Sequence, residues 1–80
     1  MRLDLFLSKV GLIKRRTIAK ELADNGMIRV NEQKAKPSKE LEVGDIISIG
    51  GKRPITVEIK AIPAGSVKKE DRDAYYLKLA

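Results

Sequence analysis

Lys14, Arg15 and Arg16 form the densest run of positive side chains in the sequence, and Lys20 follows Arg16 by one helical turn. Arginine and lysine at such spacing bind anions, and a guanidinium can clamp a phosphate through two parallel N–H donors. Around this run lie Arg2, Lys9, Arg29, Lys34, Lys36 and Lys39. The first 40 residues thus carry ten basic and five acidic side chains, a net +5, whereas residues 41–80 carry seven and six, a net +1. Positive charge gathered in one half of a chain points to a polyanion. Nucleic acid is favoured over a basic surface that serves solubility alone.

Other chemistries are excluded by what the sequence lacks. It contains no Cys and no His, so the usual zinc sites cannot be built and no Ser–His or Cys–His nucleophile can form. Without Cys nothing argues for an oxidising compartment. A chain of 80 residues reads as one domain, which buries roughly 60–65% of its unfolded surface and leaves little room for a deep substrate pocket. The expectation is a binding protein with no enzymatic activity, no cofactor and no metal. No apolar run is long enough for a signal peptide or a membrane span, so a cytoplasmic setting without a membrane partner is expected.

The elements that must position these cations follow from hydrophobic periodicity. Leu3, Phe6, Leu7 and Val10 repeat as one helical face, which predicts a helix over residues 2–10 stopped by Gly11. Leu5 points off that face. Ile18, Ala19, Leu22 and Ala23 predict a second helix over 16–25, stopped by Asp24-Asn25-Gly26. The basic run stands at the start of this helix, where the dipole is already positive, so a cluster that opposes its own helix points to a partner. From Ile28 the period changes to two. Ile28–Val30, Ile46–Ile49 and Ile55–Ala61 read as strands, with turns at Asn31-Glu32, Gly44-Asp45 and Gly50 to Arg53. Residues 34–39 form a basic, turn-rich stretch. Lys68–Asp73 reads as a solvated loop or helix turn, and Tyr75–Leu79 as a last strand or docked tail. Helices first and strands after make an α+β domain, with two N-terminal helices packed on a small, mostly antiparallel sheet.

Arg2-Leu3-Asp4 with Phe6-Leu7, then Arg16, Ala19, Leu22 and Gly26, then Ile28, Val30-Asn31, Pro37-Ser38 and Gly44-Asp45-Ile46, stand in one register over about the first 50 residues. This pattern resembles the S4 RNA-binding domain. Residues 51–80 would add a C-terminal strand and tail to the same domain. As a free-standing S4 domain carrying Leu-Ile-Lys-Arg-Arg-Thr-Ile-Ala-Lys-Glu, the chain is similar to the RqcP family, and next to the small heat-shock S4 proteins of blocked large ribosomal subunits. The first resemblance implies binding to obstructed large subunits through rRNA and tRNA. It also implies action with a tRNA-recruiting factor that adds alanine to stalled nascent chains, and the chain is expected to be a monomer. Two departures stand out. Arg15 replaces the serine common before the second helix, which removes an ordinary N-cap. Glu32 replaces the glycine of a Val-Asn-Gly turn, which predicts another turn type or strain.

Aromatic residues are scarce. Phe6 lies on the apolar helix face, and Tyr75 and Tyr76 lie in the tail, so no stacking platform for single strands is evident. Folded RNA, gripped through phosphates and 2′-hydroxyls, fits better. Arg16 and Lys20 would form a ridge along the second helix, Arg2 and Lys9 would flank it, and Lys14 and Arg15 would crown it. Arg29, Lys34, Lys36 and Lys39 would extend the surface. Arg2 and Arg16 lead, because the family motif has arginine at both positions. Asp4 either orients one of these arginines or favours the helix start. Asn31 serves turn formation before RNA contact. A general RNA- or DNA-binding module and an adaptor for an acidic protein remain the alternatives.

Overall fold

In the computed structural model, which describes residues 1–80, two helices come first, α1 (Leu3–Lys9) and α2 (Arg16–Asp24). Strands β1 (Ile28–Val30), β2 (Gln33–Lys34), β3 (Ile46–Ile49) and β4 (Ile55–Ile59) follow. A 3-10 helix, Lys69–Tyr75, then leads into β5 (Tyr76–Lys78). The sheet order is β2-β1-β3-β4-β5, and every neighbouring pair is antiparallel. This is the expected α+β fold with two helices on a small sheet, antiparallel throughout rather than mostly so.

The apolar face of α1 drives its formation: Leu3, Phe6, Leu7 and Val10 are all buried. Its first amides are satisfied from outside the helix ladder. Leu3 N–H donates to the Lys39 carbonyl at 2.9 Å, Asp4 N–H to the Pro37 carbonyl at 3.1 Å, and Leu5 N–H to Asp4 Oδ1 at 2.8 Å. Gly11 at φ 76° and Gly26 at φ 74° end the two helices in the left-handed conformation that glycine adopts without strain. In α2, Ala19 and Ala23 are buried and Leu22 is half-buried, whereas Ile18 is 43% exposed. The expected stripe is therefore narrower by one residue. Ile18 lies about 100° around the helix from Ala19, at the margin of the buried arc.

In the sheet, Val30 stands opposite Ile47 and Ile47 opposite Val57, so one row of apolar side chains faces the helices. Arg29, Ser48 and Thr56 make the matching row on the other face. Two strand expectations need correction. Gln33–Lys34 is a short strand paired with β1, not part of a turn-rich stretch, because Asn31 and Glu32 close a two-residue hairpin. β4 ends at Ile59 rather than Ala61, because the Lys60 and Ala61 amides donate to the Tyr75 carbonyl at 2.9 and 3.3 Å. Tyr75 and Tyr76 are half-buried against the core.

The segment after β2 folds back on the N-terminus. Arg2 bridges to Glu40, and the Leu41 amide donates to the Met1 carbonyl at 2.9 Å. These contacts join residues nearly forty positions apart and bring Arg2 beside the basic stretch of Lys36–Lys39.

Candidate nucleic-acid interface

The interface starts at a buried acid. Asp4 is 2% exposed, the one charged side chain in the core. Arg2 approaches it with Nε at 3.2 Å from Oδ1 and Nη2 at 3.3 Å from Oδ2, a two-pronged contact. Arg16 approaches from α2, with Nε at 3.4 Å from Oδ2. Both arginine side chains remain almost half exposed, 45% and 48%. The acid is therefore inside and its two bases lie at the surface.

Beside this trio, Arg2, Asp4, Arg16, Thr17 and Lys20 line a shallow cleft of about 320 Å³. Arg2 and Lys20 also border a second hollow of about 400 Å³ with Lys36, Pro37 and Ser38. Lys36 and Ser38 in turn border a third of about 370 Å³ that includes Lys34 and Lys39. Shared residues make these hollows one groove, running from the start of α2 across the loop after β2. Every cation in it is exposed, and beside the buried Asp4 the one acid that lines it is the exposed Asp24. A concave row of exposed guanidinium and ammonium groups suits a phosphate backbone. No set of three or more His, Cys, Asp or Glu gathers to hold a metal ion, and the broad, shallow hollows offer no enclosed pocket.

The fold brings six of the ten sequence-predicted cations to this groove: Arg2, Arg16, Lys20, Lys34, Lys36 and Lys39. Lys14 and Arg15 stand exposed just before α2, next to the cleft in sequence but not among its lining residues. Lys9 is turned elsewhere, its ammonium donating to the Gly65 carbonyl at 2.9 Å. Arg29 projects from the outer sheet face and donates to the Glu32 carbonyl at 3.2 Å. The strand period places it there, since Ile28 and Val30 face the core. Sequence reading missed Thr17 and Ser38. Thr17 stands next to Arg16 and one helical turn before Lys20, a spacing that placed it on the same face.

The two departures from the family pattern have visible consequences. Arg15 occupies the N-cap of α2 and makes no side-chain cap hydrogen bond. Glu32 adopts φ 71°, so the strain expected from the missing glycine is present. Asn31 is occupied by the fold: its Nδ2 donates to Asp45 Oδ1 and its Oδ1 accepts from the Ile46 amide, both at 3.0 Å. It ties the hairpin to the Gly44-Asp45 turn, as its turn role predicts.

No helix is long and apolar enough to cross a membrane. The S4 domain family model matches residues 1–47, which span the groove. The chain is 41% identical over 76 residues to the RQC P-site tRNA stabilizing factor of Bacillus subtilis, covering 94% of this chain and 88% of that one. It is 44% identical over 77 residues to the factor of the same name from Streptococcus pneumoniae, covering 95% and 86%. Among solved structures, the trimeric Heat Shock Protein 15 of Vibrio cholerae superposes with a TM-score of 0.90 at 30% identity, covering 100% of this chain and 82% of that one. The family model thus matches more than half of the chain and these relatives nearly its whole length, and the chain belongs to the S4 domain family and, within it, to the RQC P-site tRNA stabilizing factors.

Proposed function

We propose that this chain is an RNA-binding factor of ribosome-associated quality control, with no reaction of its own. It acts in the cytoplasm as one monomeric domain over residues 1–80. It binds obstructed large ribosomal subunits through rRNA and tRNA and supports alanine tailing of the stalled nascent chain beside a tRNA-recruiting factor. The observation that carries this reading is the continuous cationic groove from Arg16 to Lys39, with Arg2 and Arg16 at its head. The names of the Bacillus and Streptococcus relatives support the tRNA part. Within the ten cations, the six that meet in the groove make the main phosphate contacts, and Lys14 and Arg15 extend them at the start of α2. Lys9 and Arg29 contribute at its periphery.

If ~5 phosphates are engaged, log affinity falls with log salt at a slope of about −3.5 to −4.5. The decisive experiment has two readouts in Bacillus subtilis cells lacking their own copy. One is co-sedimentation of the chain with large subunits when translation is stalled. The other is mass spectrometry of alanine tails on a stalled reporter. Wild type should do both, and Arg2→Ala/Arg16→Ala should do neither. Free migration of the wild-type protein at low salt would refute the reading. A second reading, recycling of large subunits in the manner implied by the heat-shock S4 proteins, is favoured by the superposition on the Vibrio structure. Subunit binding without any effect on tails would select it.

A further inference from the structure

We infer that Asp4 is the positioning residue of the groove: its buried carboxylate holds Arg2 and Arg16 together as one preformed clamp for an RNA backbone phosphate. The inference rests on the RNA-binding reading above and adds to it a residue that offers no charge to RNA itself.

A carboxylate near the start of a helix needs no burial to favour the dipole, and a surface aspartate would do that work. Asp4 is instead 2% exposed, accepts hydrogen bonds from the Leu5 amide and from two nitrogens of Arg2, and forms an ion pair with Arg16. Burying a charge is costly, and apolar residues in its place often serve stability as well. What apolar residues could not do is hold two guanidiniums, one from the extended N-terminus and one from α2, at fixed places. Arg2 and Arg16 are long and flexible. Free in solvent, each would give up its rotamer freedom on meeting RNA. Here that ordering is done in the free protein. Arg16 meets Asp4 through Nε and stands next to Thr17 and Lys20 in the cleft.

Two effects of removing the carboxylate have opposite signs. Charge alone says that Asp4→Asn binds RNA more tightly, because a negative group near the phosphates is gone. Positioning says that it binds more weakly. Two side chains set free correspond to about 5–150-fold in affinity, from the ordering cost of an immobilised side chain.

The test titrates purified bacterial large ribosomal subunits with the full chain as wild type, Asp4→Asn, Arg2→Ala/Arg16→Ala and the triple variant. We expect Asp4→Asn to bind ~5–150-fold more weakly despite its extra positive charge. In the background lacking both arginines it should have no weakening effect. In nuclear magnetic resonance of the free protein, the Nε–H signal of Arg2, which is hydrogen-bonded to Asp4, should be protected from exchange and lose that protection in Asp4→Asn. Equal or tighter binding by Asp4→Asn, or equal weakening when both arginines are absent, overturns the positioning role. Unchanged binding by Arg2→Ala/Arg16→Ala instead overturns the RNA-binding reading of the groove. Should Asp4→Asn fail to fold, Arg16→Lys carries the test. It keeps the charge and loses the Nε contact, so it should lose at least half as much, on a logarithmic scale, as Arg16→Ala. Full affinity in Arg16→Lys would overturn the inference.

Discussion

Replacing Glu32 by glycine should raise the melting temperature. The hairpin between β1 and β2 turns through Asn31 at φ 52° and Glu32 at φ 71°, so both central residues are left-handed, as a type I′ turn requires. Asn31 tolerates this conformation, and its amide is bonded across to Asp45 and Ile46. Glutamate has no such compensation. Its Cβ meets the following carbonyl, at about 1–2 kcal/mol. Glycine removes that cost but loses more freedom on folding, which takes back ~0.4–1 kcal/mol. The net gain is about 0.5–1 kcal/mol, or roughly 2–8 °C for a domain of this size. The Arg29 contact survives, because it is made to the residue 32 carbonyl and not to the side chain. Thermal unfolding followed by circular dichroism measures the shift, with Glu32→Ala as the control. Alanine keeps the left-handed cost and should gain nothing. An unchanged or lower melting temperature for Glu32→Gly, or an equal gain for Glu32→Ala, would refute the argument from backbone strain.

Arg15→Ser should supply the N-cap that α2 lacks and stabilise the protein by ~0.5–1 kcal/mol while weakening large-subunit binding; paired melting and titration would contradict this if binding tightened. Asn31→Ala removes two hydrogen bonds and should cost about 1–3 kcal/mol. Lost subunit affinity at an unchanged melting temperature would instead place Asn31 on RNA. Gly11→Ala puts a Cβ within 2.7 Å of Arg72 Nη1 at a residue with φ 76°. The arginine tip can swing away but the backbone cannot, so we expect a loss of about 1–2 kcal/mol that Arg72→Ala does not rescue. The Tyr76 hydroxyl is pushed above its ordinary pKa by burial and by the Asp73 carboxylate. A group raised in the folded state contributes stability below its unfolded value and loses it above. Alkaline titration should therefore show stability falling as pH rises past about 10. Tyr76→Phe should flatten that fall, and an identical profile for both proteins would rule the tyrosine out.

The elements that rest on local periodicity are legible in the sequence, and those that rest on distant partners are not. Leu3, Phe6, Leu7 and Val10 define α1, and Gly11 and Gly26 end the helices where their left-handed freedom is needed. Alternation from Ile28 onward marks the longer strands. β2 is two polar residues, and it is a strand only because the hairpin lays it against Arg29 and Val30. The groove divides in the same way. Arg16 and Lys20 share a helix face by spacing alone. Arg2 and Lys36 meet because residues 1–4 pair with the loop before β3, which no local pattern announces. Lys9 is drawn off by the carbonyl of Gly65, 56 positions away. The outward placement of Arg29 was readable from the alternation of its own strand.

Charge and core occupy separate territory in this fold. The apolar cluster is built from one face of each helix and the inner face of the sheet, while the groove cations stand outside it, in solvent. Ion pairs at such exposed positions contribute little to stability. Loss of the groove lysines should therefore be silent in melting experiments and show itself only against RNA. Asp4 is the exception, because it lies in the core and faces the groove. Arg15 carries a second link of opposite sign, since an unfavourable charge at the helix start is borne where the groove begins. Two of the three departures from local preference, a buried carboxylate and an uncapped cationic helix start, thus adjoin the proposed RNA site, and both trade local stability for a surface that waits for an anion. The third, Glu32, lies between Asn31 and Gln33, which border the hollow of Lys34 and Lys39, but is not itself a lining residue, so its replacement should improve the fold without a cost in binding.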